Sequence, residues 1–152
     1  KAAEKISHLV FLKAFILPDG KSQFKLVPPE ASEGMTAAAK ASPDNSVPVM
    51  EDFVRNMLMA GEPREKQDAL LKRLSPQPLA LFTTPVSTSD FMKLKIPCSV
   101  VFCKNDASLP PGAYLGMAQG LGRFKLGEVD GGHEALFTQP AAVAHGLLEA
   151  VR

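Results

Sequence analysis

Two short, unbroken apolar runs stand out along the chain: HLVFL (His8 to Leu12) and CSVVFC (Cys98 to Cys103). A run without alternation is the pattern of a strand buried on both faces of a parallel sheet. The first leaves through LPDGKS, a Pro-Asp-Gly turn, and the second is approached through Ile96-Pro97 and left through KNDASLPPG. RFKLGEV predicts a third strand, weakened by Gly127 in its interior. PPGAYLGMAQGL predicts a helix with proline in its first turn, apolar positions at Tyr114, Met117, Ala118 and Leu121, and Gly122 as its stop. PAAVAHGLLEAV predicts another, with Ala144, Leu147, Leu148 and Val151 on its apolar face. Strand, helix, strand, helix from Cys98 onward is the order of an α/β domain with a parallel sheet.

Between Pro28 and Lys95 the pattern changes. VPPEASEGMTAAAKASPDNSVP is rich in Pro, Ser, Ala and Gly and predicts loop or irregular helix. MEDFVRNMLMA and PREKQDALLKRL predict two amphipathic helices, the second with Leu70, Leu71 and Leu74 on one face, and SPQPLALFTTPVS predicts an extended, proline-broken connection. Such a segment is too long for an ordinary crossover. It predicts instead a helical cap, residues 28–92, over one end of a sheet built from residues 1–27 and 93–152, with apolar walls from Phe53, Met57, Leu58 and Leu71.

Composition narrows the function. A length of 152 residues is enough for one domain with a sizeable core. A net charge of +1 without a basic block argues against nucleic acid or an anionic membrane as partner, and favours a small neutral substrate or another protein. No apolar run is long enough to span a bilayer, and the opening residues KAAEKIS lack the apolar centre of a signal peptide. Cys98 and Cys103, an odd five positions apart in one strand, point to opposite faces and cannot pair. Two reduced thiols suit the cytoplasm. No Cys or His pair has ligand spacing, so no metal site is expected.

Chemistry in a parallel sheet gathers just past the carboxyl ends of its strands. Asp106 follows CSVVFCKN there, and His133 follows RFKLGEVDGG, where Gly131 and Gly132 let the chain bend and leave room for a ring. A carboxylate on one imidazole nitrogen fixes the tautomer and leaves the other nitrogen free to take a proton. The plainer alternative makes Asp106 a turn former and His133 a loop residue. His8 lies in a buried run and reads as a core histidine, and His145 reads as the solvent side of the last helix.

The stretch from Cys98 to Val151 resembles the C-terminal part of α/β-hydrolases, in particular the plant methylesterase and hydroxynitrile lyase-like group and its bacterial esterase relatives. In that group a strand ends in an acid followed by a small-x-Pro turn, and the next strand ends in Gly-His before a helix opening on "QP", as in NDASLP and GGHEALFTQP. HLVFLKAFILPDG is similar to its strand after the nucleophile helix, and LSPQPLALFTTPVS to the end of its cap.

The resemblance implies Asp106 as triad acid, in preference to Asp130, and His133 as general base. It also implies Phe15, Leu109 and Leu136 as pocket-lining residues, a small or medium hydrophobic ester as substrate, and no metal or organic cofactor. The fold implied is the C-terminal part of the α/β-hydrolase sheet with a helical cap. One departure is large: no serine lies in a G-x-S-x-G elbow, which in this fold precedes acid and histidine. The expectation is that the chain is a C-terminal piece whose nucleophile and oxyanion donors come from an N-terminal segment. Rival readings are a non-catalytic protein holding a small hydrophobic ligand, lyase chemistry on cyanohydrins, and a flavodoxin-like binding domain.

Overall fold

The computed structural model describes residues 3–152. The chain begins its sheet with β1 (Leu9–Leu12) and returns to it only at Cys98. Between them lie α1 (Pro29–Lys40), β2 (Ser46–Val47), α2 (Glu51–Phe53), which runs on into a π-helical turn (Val54–Leu58), α3 (Arg64–Leu71), β3 (Gln77–Pro78) and α4 (Ala80–Thr83). The remainder alternates: β4 (Cys98–Cys103), α5 (Ala113–Ala118), β5 (Lys125–Val129), α6 (Ala135–Thr138) and α7 (Pro140–Ala150). β1, β4 and β5 pair in parallel in the order β1-β4-β5, with Leu9 opposite Cys98 and Val101 opposite Gly127. β2 and β3 form a separate antiparallel ribbon.

One face of the sheet buries Val101, Cys103 and Val129 against Ala135, Val143 and Ala150, with Val10, Leu12 and Leu147 packed around them. The buried stripe of α7 is therefore Val143, Gly146, Leu147 and Ala150, and not the predicted Ala144, Leu147, Leu148 and Val151. Leu148 is 59% and Val151 47% exposed. Small residues at positions 146 and 150 let the helix axis approach the sheet, and that closeness outweighs the pull of larger apolar side chains one position away. A Cβ at residue 146 would lie 2.2 Å from Cγ1 of Val129.

Two further expectations change. Residues 29–40 form a regular twelve-residue helix, with a proline in its first turn and Ala37 to Ala39 supplying propensity, where the composition reads as loop or irregular helix. The connection after Pro78 carries the single turn α4, anchored by Phe82 stacking on Phe24 at 5.5 Å between centroids. A second core joins Val54, Met59 and Leu70 to Leu58, Leu71 and Phe137. There Arg55 reaches Glu51 at 2.6 Å and Asp68 at 2.7 Å, tying α2 to α3.

Where the chain leaves the sheet after β1 and where it comes back before β4, it is fastened to itself. Oδ1 of Asp19 accepts hydrogen bonds from the backbone N–H of Thr88 (2.6 Å) and Ser89 (2.9 Å) and from the Ser87 hydroxyl (3.3 Å). The N–H of Gly20 donates to Val86 O at 2.9 Å, and Lys21 bridges Val86 in antiparallel fashion. These bonds hold the Asp19 carboxyl below its ordinary pKa.

Ser99 is fully buried in β4 and donates to the Ala150 carbonyl at 2.7 Å. Because its single hydrogen is spent there, His8 Nε2, 2.8 Å away, is the donor to Ser99 Oγ. The chain His8–Ser99–Ala150 thus ties β1, β4 and the end of α7. Ser99→Ala leaves a buried carbonyl and an imidazole N–H without a partner, and is expected to cost about 1–3 kcal/mol in denaturant unfolding. An unchanged midpoint would mean that the network contributes nothing. Among the described residues no helix is long and apolar enough to cross a membrane.

Candidate active site

The sheet does not stop cleanly at its carboxyl edge. Beyond β4 and β5 the two chains stay stitched, Lys104 N–H to Val129 O and Asn105 N–H to Gly131 O, both at 3.0 Å. That stitching carries the next residues of each loop toward each other. His133 Nδ1 lies 2.9 Å from Asp106 Oδ2. The Asp106 side chain is 4% exposed and that of His133 24%.

Each partner is held by its own loop. Asp106 Oδ1 accepts from the Ser108 N–H at 2.9 Å and from the Ser108 hydroxyl at 2.6 Å. Gly131 has φ +123°, and a Cβ on it would come within 2.9 Å of the Ala135 Cβ, so glycine is required at that bend. A Cβ at Gly132 would meet nothing closer than 3.7 Å. Of the two glycines only the first is needed for the turn. The His133 carbonyl accepts from Lys13 Nζ, whose backbone sits in the left-handed region at φ +46° just past β1. On the far side of the histidine, α6 turns Phe137 into the second core under the Arg73 guanidinium, 5.3 Å from its ring.

Burial alone raises the Asp106 carboxyl, yet hydrogen bonds from His133 and Ser108 outweigh it and hold the group below its ordinary pKa. Its folded-state pKa is therefore lower than its unfolded one. The pairing stabilises the fold above the ordinary carboxylate range and loses that contribution as pH falls through the depressed value. Asp106 stays a carboxylate near neutrality, Nδ1 of His133 carries the proton that it accepts, and Nε2 makes no hydrogen bond among the described residues. An imidazole fixed in this tautomer with a free Nε2 can take a proton from a hydroxyl or a water.

Both side chains line a cavity of about 1300 Å³. Its walls are mostly apolar, with Met35, Val47, Phe53, Met57 and Leu58 from the helical segment facing Phe15, Leu109 and Tyr114. Phe15 and Leu109 lie on that wall. Leu136 does not: it is 55% exposed and outside the cavity, because α6 directs Phe137 inward in its place. Leu71 packs in the second core rather than on the cavity wall. Asp130 is exposed and paired with Lys104 at 2.8 Å, away from the histidine. His145 is exposed on α7. Burial pushes the thiols of Cys98 and Cys103 above their ordinary pKa. Among the described residues no cluster of His, Cys, Asp and Glu is arranged to hold a metal ion.

Three residues of this site escape a sequence reading. Lys13 has one signal, a lysine directly after a buried strand. Ser108 has the D-x-S spacing of an Asx turn. Tyr114 shows only as one apolar position of a helix.

No protein-family model matches the chain. It is 24% identical over 147 residues to the alpha/beta hydrolase nvfD of Aspergillus novofumigatus (strain IBT 16806), an alignment covering 95% of this chain and 57% of that protein. Among solved structures it superposes on an extracellular alpha/beta-hydrolase from a Paenibacillus species, described as sharing structural and functional homology with tobacco salicylic acid binding protein 2. The TM-score there is 0.90 at 25% identity, over 95% of this chain and 62% of that one. Polyneuridine aldehyde esterase matches with a TM-score of 0.65 at 24% identity, over 96% of this chain and 62% of that one. The chain therefore spans about three fifths of the relatives that it matches. Over that stretch, a parallel sheet with the Asp106–His133 pair at its carboxyl edge and helices packed about it, the chain has the α/β-hydrolase fold.

Proposed function

We propose that the protein hydrolyses small or medium hydrophobic carboxylic esters through a serine nucleophile, with this chain supplying the acid, the base and the cap. The observation that carries the reading is the 2.9 Å bond between Asp106 and His133 Nδ1 at the edge of a large apolar cavity. In this mechanism a serine hydroxyl at the cavity floor loses its proton to His133 Nε2 as its oxygen bonds the ester carbonyl carbon. Asp106 holds the ring and stabilises the imidazolium that results. Collapse of the tetrahedral species breaks the bond to the alkoxy oxygen, which takes the proton back from Nε2 and leaves as the alcohol. Water, deprotonated by the same nitrogen, then releases the acid. The apolar walls select the hydrophobic parts of the ester, and residues 28–92 act as the cap that keeps bulk water from the acyl-enzyme.

The serine belongs to a nucleophile elbow that these 152 residues do not contain, and the proposal places it, with the oxyanion donors, in the part of the fold that the relatives have beyond the matched stretch. The large apolar cavity suits a second reading as well, a hydrolase-like protein that only binds a hydrophobic ligand there. A chromogenic ester series and a fluorophosphonate probe separate the two, applied to this chain together with the remaining portion of the fold. Covalent labelling of a serine with ester turnover supports the enzyme. Ligand binding without either supports the second reading, and cleavage of cyanohydrins without ester turnover supports lyase chemistry.

A further inference from the structure

The mechanism above uses Asp106 through one oxygen only. Its other oxygen, Oδ1, is 2.6 Å from the Ser108 hydroxyl, and that hydroxyl is 3.0 Å from the Tyr114 hydroxyl. The direction of these bonds follows from what each group can donate. An ionised carboxylate only accepts, so the one hydrogen of Ser108 is committed to Asp106. Ser108 Oγ must then accept from Tyr114, whose proton burial keeps in place by raising the phenol above its ordinary pKa. The tyrosine ring is fixed from two sides, edge-on to Phe15 at 6.2 Å and tilted against Phe102 at 6.1 Å. The result is a directed relay of hydrogen bonds, Tyr114 to Ser108 to Asp106 to His133, with the tyrosine also on the cavity wall.

We infer that Ser108 and Tyr114 are positioning residues that set the basicity of His133 by drawing charge away from the outer oxygen of Asp106. This rests on the reading of His133 as the base. A donor on Oδ1 reduces the negative charge that Oδ2 presents to the imidazolium, and so lowers the proton affinity of the ring. A second donor behind the first polarises the Ser108 O–H and strengthens the effect. Tyr114 has no bond to Asp106 and acts only through Ser108. The other titratable groups around the pair are Lys13 from the loop after β1, bonded to the His133 carbonyl, Cys103 at the end of β4, and Lys104 and Glu134 on the cavity wall. All of them are unchanged in the variants below.

The test is an NMR titration of the His133 imidazole, assigned with His133→Gln, in the wild type and in Ser108→Ala, Ser108→Thr, Tyr114→Phe and Ser108→Ala/Tyr114→Phe. Ser108→Ala is expected to raise the midpoint, and Tyr114→Phe to raise it by less. Ser108→Thr keeps the hydroxyl and the wild-type midpoint. The double variant should titrate like Ser108→Ala alone, because the tyrosine has no separate route to the carboxylate. Unmoved midpoints, or a tyrosine effect undiminished when Ser108 is absent, would overturn the inference and leave both residues as packing. Should Ser108→Ala fail to fold, Tyr114→Phe against Ser108→Thr still decides it. The titration needs no turnover: a moved midpoint in a protein that hydrolyses no ester would keep the relay and remove the proposed reaction.

Discussion

His133→Ala is expected to reduce kcat for ester hydrolysis by about 10⁶-fold, measured with the nucleophile-bearing part of the fold present, while thermal unfolding stays close to wild type. In the proposed mechanism the imidazole does two jobs, proton acceptor and proton donor, and neither Lys13 nor Asp106 is placed to take them over. Lys13 Nζ is spent on the His133 carbonyl, and Asp106 is turned toward the ring and Ser108. Asp106→Asn should follow with a loss of about 10⁴-fold, because an amide that donates to Nδ1 leaves the proton on Nε2, where the proposed mechanism needs a free lone pair. The two losses should not add in the double variant, since without the imidazole the carboxylate has nothing to orient. Turnover near wild type in either single variant would remove that residue from the chemistry.

The second large effect is on stability and lies far from the site. Gly146→Ala should destabilise the fold by about 1–3 kcal/mol, although alanine is the better helix former by about 1 kcal/mol. The reason is distance. A methyl carbon 2.2 Å from Cγ1 of Val129 is well inside van der Waals contact, and Val129 is a stiff, β-branched residue in the main core. Either α7 moves off the sheet or the valine leaves its rotamer. Val129→Ala removes the obstruction at the price of a cavity, so the Gly146→Ala/Val129→Ala pair should cost less than the sum of the two single changes. Strict additivity in denaturant unfolding would show that the helix relaxes freely.

The sequence is most readable where a single physical requirement acts. HLVFL and CSVVFC read as strands of one parallel sheet, and they become adjacent parallel strands, although only the second is buried and the first is half-buried throughout. Asp106 and His133 follow strands of one sheet, so topology alone brings them to one edge, and the hydrogen bond between them is the detail that only side-chain geometry supplies. Where two requirements compete, pattern fails. In α7 the larger residues Leu148 and Val151 advertise a face, but Gly146 and Ala150 lie toward the sheet, where a side chain at 146 would collide with Val129. Leu136 loses to Phe137 in the same way, since a four-residue helix can turn only one of two neighbours inward. Lys13, Ser108 and Tyr114 are invisible for a different reason. Their roles depend on one atom reaching one partner across the fold, and no local spacing encodes that.

The fastening at Asp19 has a consequence for how such a protein can change. With residues 18–21 and 86–89 bonded to each other, the sheet experiences the whole intervening stretch as a closed handle of fixed width. Closure entropy grows only slowly with the length of a loop, so material can be added to or removed from the handle at little cost to the strands beneath it. The bonds at its base join the Asp19 carboxylate, the Ser87 hydroxyl and backbone groups, and they place no demand on the side chains above. Selection is therefore free to rewrite the walls of the cavity while Asp106 and His133, rooted on the other side of the fastening, keep their register.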